Sequence, residues 1–282
     1  MKITEKGSIS TATYTYDPDV LDEAIPTGTL LQKHPLQNGN TVSITRDEDH
    51  KYRFRADDAD TWSPNMPGTT SLLEPLEPKF ELGMFWSMKM QRRYKEKNPY
   101  GTDSLNTIPL RERDRAGALG NALHDAIFVY IASGFIDEKN SLFMAWYNAI
   151  GKDTFWITGE RFLYHPFFGY GGTLDGISSD ENGCVLYDWK TVNRISYDKY
   201  GPRIKDFAQS AAYRDALIAM GSSFAPYACK IVYIMRDDWY DSLDAHPSSP
   251  DVDIVDVPLD TATALFEESR TLTETMRLAR PQ

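Results

Sequence analysis

The segment YGGTLDGISSDENGCVLYDWKTV, residues 170 to 192, constrains this chain more than any other. β-Branched and aromatic residues flank a polar SSDENG stretch, the pattern of two strands joined by a turn. Pairing Asp175 directly across from Asp188 puts the centre of the hairpin between Glu181 and Asn182, inside that turn. Side chains two apart on a strand share a face, so Asp188 and Lys190 point the same way. Two acids and an ammonium therefore meet on one hairpin. Hard carboxylate oxygens suit Mg²⁺ or Mn²⁺ and leave positions for water and a phosphate. A lysine there orients the nucleophile, helps deprotonate it, or stabilises charge in the transition state. An Asp-x-Lys triplet alone is weak, since exposed strands carry it often. Here Leu186, Tyr187 and Trp189 surround it with bulk, and the glycines of GGTLD mark a bend or a close approach.

The neighbouring segments extend the constellation. Residues 114 to 134 read as a helix with a buried stripe of Leu119, Leu123, Ala126, Ile127 and Tyr130. His124 lies off that stripe beside Gly117, Gly120 and Asn121, where a groove of small residues gives access to a metal or a strand of DNA. Residues 153 to 163 alternate as a strand that carries Glu160 in an otherwise apolar run, and an acid there is paired, on an edge, or functional. Residues 203 to 220 form an amphipathic helix with Gln209 and Tyr213 on one face, and alanines 208, 211, 212 and 216 that permit close packing on a sheet. CKIVYIMR, residues 229 to 236, reads as a buried strand. The order is helix, strand, strand, strand, helix, strand, an α/β (α+β) class with a central mixed sheet flanked by helices.

This order and its motifs resemble the PD-(D/E)xK nuclease superfamily, in particular the RecB-like exonucleases and the mitochondrial genome maintenance exonuclease group. The matching pieces are GNALH with His124, GERFLYHPFFGYGGTLDGI with Glu160 and Asp175, VLYDWKT with Asp188 and Lys190, and QSAAY with Gln209 and Tyr213, over roughly residues 66 to 236. The resemblance implies a restriction-endonuclease-like core and a Mg²⁺- or Mn²⁺-dependent DNA exonuclease. It implies metal ligation by His124, Asp175, Asp188 and the Trp189 carbonyl, with Glu160 as a further candidate ligand. Lys190 would be the catalytic lysine, supported by Gln209 and Tyr213, with Thr173 and Thr191 beside the substrate. DNA is the implied partner, single-stranded or with single-stranded ends, together with a single-stranded-DNA-binding or replication protein. Many RecB-like nucleases add four cysteines for an iron–sulfur cluster; Cys184 and Cys229 cannot supply four thiolates, so no cluster is expected. MPGTTSLLEPLEPKFELGMFW, residues 66 to 86, is similar to the Thr-rich segment preceding the core in that group but departs from its usual Pro-Ser-Val-Thr-Thr pattern.

The remaining sequence sets bounds. At 282 residues and 41% hydrophobic, the chain can build one large domain or a core with an accessory piece. No apolar run is long enough for a membrane span. The N-terminus shows neither a secretory nor a transit bias, and two cysteines fit a reducing interior, pointing to the cytoplasm of a bacterial or phage-infected cell. A net charge of −11 argues against broad nonspecific binding to nucleic acid. Local basic runs remain. KMQRRYKEK at 89 to 97 follows Phe85, Trp86 and Met90, so Arg92, Arg93 and Trp86 combine charge and stacking as single-strand sites do; in RERDRAG at 111 to 117 the acids cancel much of the charge.

The expected division is an accessory segment to residue 65, with TVSITRD and YRFRAD as a hairpin; a helical DNA-guiding region from 66 to 113; the core from 114 to 236; and a closing part from 237 to 282. In that last part, residues 237 to 251 read as a polar loop, 252 to 257 as a strand, and the rest as a helix with Asp260 as N-cap. Pro64, Pro67, Pro75 and Pro78 mark irregular chain. The alternatives are a flap endonuclease on the same scaffold and, less favoured, a glycoside-type hydrolase using Asp175 and Asp188 without a metal.

Overall fold

The computed structural model describes residues 29–59, 61–76, 80–236 and 250–279; the side chains of residues 80 to 82 and the polar stretch from 237 to 249 lie outside the described residues, as does Pro78. Two sheets and seven helices are present among them. Strands β1 (Leu30–Pro35), β2 (Thr41–Arg46) and β3 (Tyr52–Ala56) make a small antiparallel sheet, in which the expected hairpin gains a third strand. The larger sheet has the order β4-β5-β6-β7-β8, from Trp156–His165, Tyr170–Asp180, Gly183–Asn193, Pro226–Arg236 and Val252–Asp256. Its first three strands form an antiparallel meander, β6 and β7 run parallel, and β8 is antiparallel to β7.

A parallel pair needs a crossover, and it is supplied by α5 (Arg194–Tyr200) and α6 (Ile204–Ala219). Ala208, Ala211, Ala212 and Ala216 are nearly or fully buried, so α6 lies close on the sheet as its small residues require. Beside it runs α7 (Leu259–Ala279), which starts one residue before Asp260 and so puts that acid in the first turn rather than at the N-cap. The opposite face is covered by α3 (Ile108–Ser133) and α4 (Ser141–Ala149). The helix α3 begins six residues before the start expected at Asp114, with Pro109 in its first turn, where a missing N–H costs nothing; the expected boundary between guiding region and core therefore falls inside one helix. It ends at Gly134, whose φ of 75° is the left-handed C-cap that favours glycine. Ahead of it stand α1 (Thr69–Leu72) and α2 (Phe80–Lys97).

Central strands are buried on both faces. Along β6, Val185, Tyr187 and Trp189 join the cluster under α3 and α4, while Leu186 joins that under α6 and α7. The same alternation on β7 sends Val232 and Ile234 one way, Ile231 and Tyr233 the other. The small sheet docks on the outer strand β4 through side chains. Phe162 N–H donates to Gln32 Oε1 at 2.8 Å, Gln32 Nε2 donates to the Glu160 carbonyl at 3.1 Å, and Arg161 donates to the Lys33 carbonyl. These bonds satisfy backbone groups that an edge strand would leave open. No helix among the described residues is long and apolar enough to cross a membrane.

Candidate active site

The ladder between β5 and β6 runs from Asp180↔Gly183 to Gly176↔Tyr187 and stops there. This register centres the hairpin between Glu181 and Asn182, and its next step would bring Asp175 to Asp188. Both strands continue past that point, but β5 then pairs with β4 and, at Gly171, bridges Gly68, while β6 pairs with β7. The sheet parts where its carboxylates stand. Across the gap, Trp189 N–H donates to Asp175 Oδ2 at 2.8 Å, so a side chain takes over from the ladder. The Trp189 carbonyl, expected as a metal ligand, is a different atom from this N–H donor.

Gly159↔Gly176 and Arg161↔Leu174 bracket Glu160 opposite Asp175, which places Glu160, Asp175 and Asp188 in one row across β4, β5 and β6. Lys190 Nζ lies 2.6 Å from Asp188 Oδ2, as the two-residue period requires. Asp188 is 1% exposed, and that oxygen makes no hydrogen bond of good geometry. On α3, His124 Nδ1 approaches Asp175 Oδ1 to 3.4 Å. Beside His124 the helix surface is open at Gly117, where a Cβ would meet nothing, and filled at Gly120, where one would meet Thr191 Oγ1 at 3.3 Å.

The electrostatics follow from burying several charges together. Burial pushes Asp188 above the usual carboxylate range, against the pull of the Lys190 ammonium. Burial also disfavours the Lys190 ammonium, but Asp188, Asp175 and Asp206 outweigh it and hold Lys190 protonated. His124 is raised to about 9 because Asp175 overcomes burial, and reciprocally His124 and Lys190 hold Asp175 low despite its burial. Glu160 is raised by burial and by the neighbouring Asp175. Among the described residues, no three His, Cys, Asp or Glu side chains stand close enough together to hold one ion. His124, Asp175 and Asp188 are not gathered as one ligand set: His124 engages Asp175, while Asp188 is engaged by Lys190.

Gln209 and Tyr213 contact each other as expected, Gln209 Nε2 donating to Tyr213 Oη at 2.7 Å, and both are buried. The Tyr213 ring presses on β5: a Cβ on Gly172 would sit 2.5 Å from it, and one on Gly171 2.4 Å from the Tyr52 ring. The glycines ahead of Asp175 are there so that two rings can reach the strand. Thr173 is held from the small sheet, accepting from Arg46 Nη1 at 3.1 Å and bonding Tyr52 Oη at 3.0 Å. The basic helix divides. Trp86 and Arg93 line a cavity between α2, α3 and α5, whereas Arg92 is exposed and paired with Glu96 at 2.8 Å.

Three residues absent from the sequence reading belong to this neighbourhood. Arg46 and Tyr52 arrive from the small sheet. Asp206 on α6 is 3% exposed, accepts from Arg203 Nε at 2.8 Å and bonds Tyr233 Oη at 3.1 Å, with Tyr233 beside Lys190 in the ladder. Asp206 alone had a signal: an acid one turn before Gln209 on the face of an Ala-rich helix. Compared with known proteins, the chain matches no family model and no curated sequence.

Proposed function

We propose that this protein is a metal-dependent DNA exonuclease with a restriction-endonuclease-like core, hydrolysing phosphodiester bonds from single-stranded ends. The observation that carries this reading is the parting of β5 and β6 at Asp175 and Asp188, with Lys190 against the second acid. A row of three acids where a sheet opens, Asp188 buried and Glu160 and Asp175 partly so, calls for compensation beyond one lysine, because buried acids cost stability unless something compensates them. The upward push on Asp188 and Glu160 reflects a surplus of negative charge that a cation relieves. Hard oxygen donors, one of them Asp188 Oδ2 beside the Lys190 ammonium, fit Mg²⁺ or Mn²⁺. Two cysteines, Cys184 and Cys229, are too few for the four thiolates of an iron–sulfur cluster, so the reading includes none.

Asp175 and Asp188 would hold one or two such ions once His124 and Lys190 release them, with His124, the Trp189 carbonyl and Glu160 as further donors, and a bound ion would supply an activated water and neutralise charge on the phosphoryl group. The chain's own groups do the rest. Trp189 N–H and His124 orient Asp175. Lys190, kept charged by the acids around it, places its ammonium where a phosphoryl oxygen gains charge, a preorganised contribution of the kind worth about 10²–10³ in rate. Gln209 and Tyr213 fix β5 from below, while Thr173 and Thr191 flank the acids toward the strand. Work on DNA ends accords with a place in replication, recombination or repair in the cytoplasm, beside a single-stranded-DNA-binding protein.

The test is incubation with end-labelled linear and circular single strands and with duplex, in Mg²⁺, Mn²⁺ or EDTA, alongside Lys190→Ala. Metal-dependent shortening of linear strands only, lost in the variant, is the expected result, and the order of label loss gives the polarity. Cleavage of circles would make the enzyme a flap-type endonuclease. Turnover in EDTA, or no cleavage by folded and metal-loaded protein, would overturn the reading.

A further inference from the structure

A second feature lies outside the acids and the lysine. Trp86, Lys89, Met90 and Arg93 of α2, Glu112 of α3, Asn193, Ile195, Ser196, Lys199 and Tyr200 at the end of β6 and along α5, and Arg236 at the end of β7 line a cavity of about 70 Å³. Four cations surround it against a single acid, in a chain whose net charge is −11. That acid is already engaged: Glu112 is 1% exposed, paired with Arg236, and 3.4 Å from Arg115. Arg236 Nε, buried beside the cavity, has no hydrogen-bond partner among the described residues.

Size limits what enters. A cavity of this size has room for a few waters or one tetrahedral oxyanion. Aromatic surface stands at the mouth, with Trp86 at 43% and Tyr200 at 71% exposure and the Lys199 ammonium 4.7 Å from the Tyr200 ring. Asn193 is three residues beyond Lys190 on β6, about 10 Å along the strand, so the cavity and the acids share one β-strand as their scaffold.

We infer that this cavity binds the terminal phosphate of a single nucleic-acid strand, with Trp86 and Tyr200 stacking the adjoining base, and so selects phosphorylated ends. A terminal phosphomonoester carries up to two negative charges and three free oxygens, and it matches a small pocket with an excess of cations better than an internal diester, whose chain must enter and leave. The inference deepens the nuclease reading and rests on it for the role in end selection, but the binding itself requires no cleavage.

Fluorescence anisotropy in EDTA tests it, with one oligonucleotide carrying a phosphate at its 5′ end, at its 3′ end, or at neither. The expected result is binding of one phosphorylated form about tenfold tighter than the hydroxyl-ended strand, the effect of one or two charge-assisted hydrogen bonds. Lys199→Ala and Lys89→Ala, at exposed positions where folding tolerates truncation, should shrink that preference by weakening the phosphorylated strand more than the hydroxyl-ended one, and inorganic phosphate should compete. Equal affinity for all three ends, or a preference that survives Lys89→Ala/Lys199→Ala, would overturn the inference. A phosphate preference without metal-dependent cleavage would sink the nuclease reading and spare the pocket; cleavage indifferent to the end group would do the reverse.

Discussion

The two faces of the central sheet are built from opposite materials. Toward α3 and α4, Trp156 meets Trp146, Tyr187 and Trp189, and Trp146 meets Trp189, edge-on or tilted, with ring centroids 5.0 to 5.6 Å apart, an aromatic core. Toward α6 the helix supplies alanines, and polar side chains occupy the space they leave: Asp188, Asp206, Ser210, Gln209 and Tyr213, all buried. Strand β6 serves both. Trp189 anchors one face, and its neighbours Asp188 and Lys190 form the ion pair on the other. A strand pinned by a large ring on one side can hold costly buried charges on the other without yielding. Along β6 the aromatic anchor and the buried ion pair are separated by half a pleat rather than by distance.

That separation can be broken from either side. Trp189→Ala empties the aromatic face and should cost about 3–5 kcal/mol of stability, measured as a lower urea midpoint; an unchanged midpoint would show that the cluster does not anchor the strand. Lys190→Ala acts on the other face. It should lower the rate by about 10²–10³ while the fold survives, because Asp188 can take up a proton. Without the ammonium, the Asp188 pKa rises further above its unfolded value. The folded variant then binds a proton that the unfolded chain releases, so its stability falls as pH rises from 6 to 8. Melting temperatures across that range check the sign, and a variant that grows more stable with pH would refute it.

Gly172→Ala probes the contact between the faces and the strand carrying Asp175. With its Cβ 2.5 Å from the buried Tyr213 ring, it should cost about 1–3 kcal/mol through overpacking, and Gly172→Ala/Tyr213→Leu should recover part of the loss. Full stability in the single variant would mean that the ring has room to move.

The smallest effect concerns the small sheet. His34 is 1% exposed, its Nε2 2.7 Å from Ser222 Oγ, and burial with Arg161 nearby lowers its pKa to about 3. Below the ordinary value of about 6.5 the unfolded chain takes the proton and the folded one does not. Stability therefore drops as pH falls from 6.5 toward 3, by about 2 kcal/mol at pH 5. His34→Gln should flatten that slope in urea titrations at pH 7 and 5; parallel losses in both proteins would exonerate His34.

Much of this molecule is determined by local sequence, because local periods are physical constraints. The two-residue period of a strand puts Asp188 and Lys190 on one face and Trp189 on the other, and the SSDENG turn sets the register of β5 on β6. The helical period joins Gln209 to Tyr213 and sets Leu123 and Ile127 against the sheet while His124 stays off it. What has no period is what tertiary structure alone decided. Arg46 reaches Thr173 across 127 residues, Asp206 reaches Tyr233 across 27, and Arg236 reaches Glu112 across 124. The rings of Tyr52 and Tyr213 reach Gly171 and Gly172 from separate elements, and the cationic cavity forms only where α2 meets α5. Contacts of this kind are chosen by the packing of whole elements, whose energies are sums over distant surfaces, so no short stretch of the chain records them.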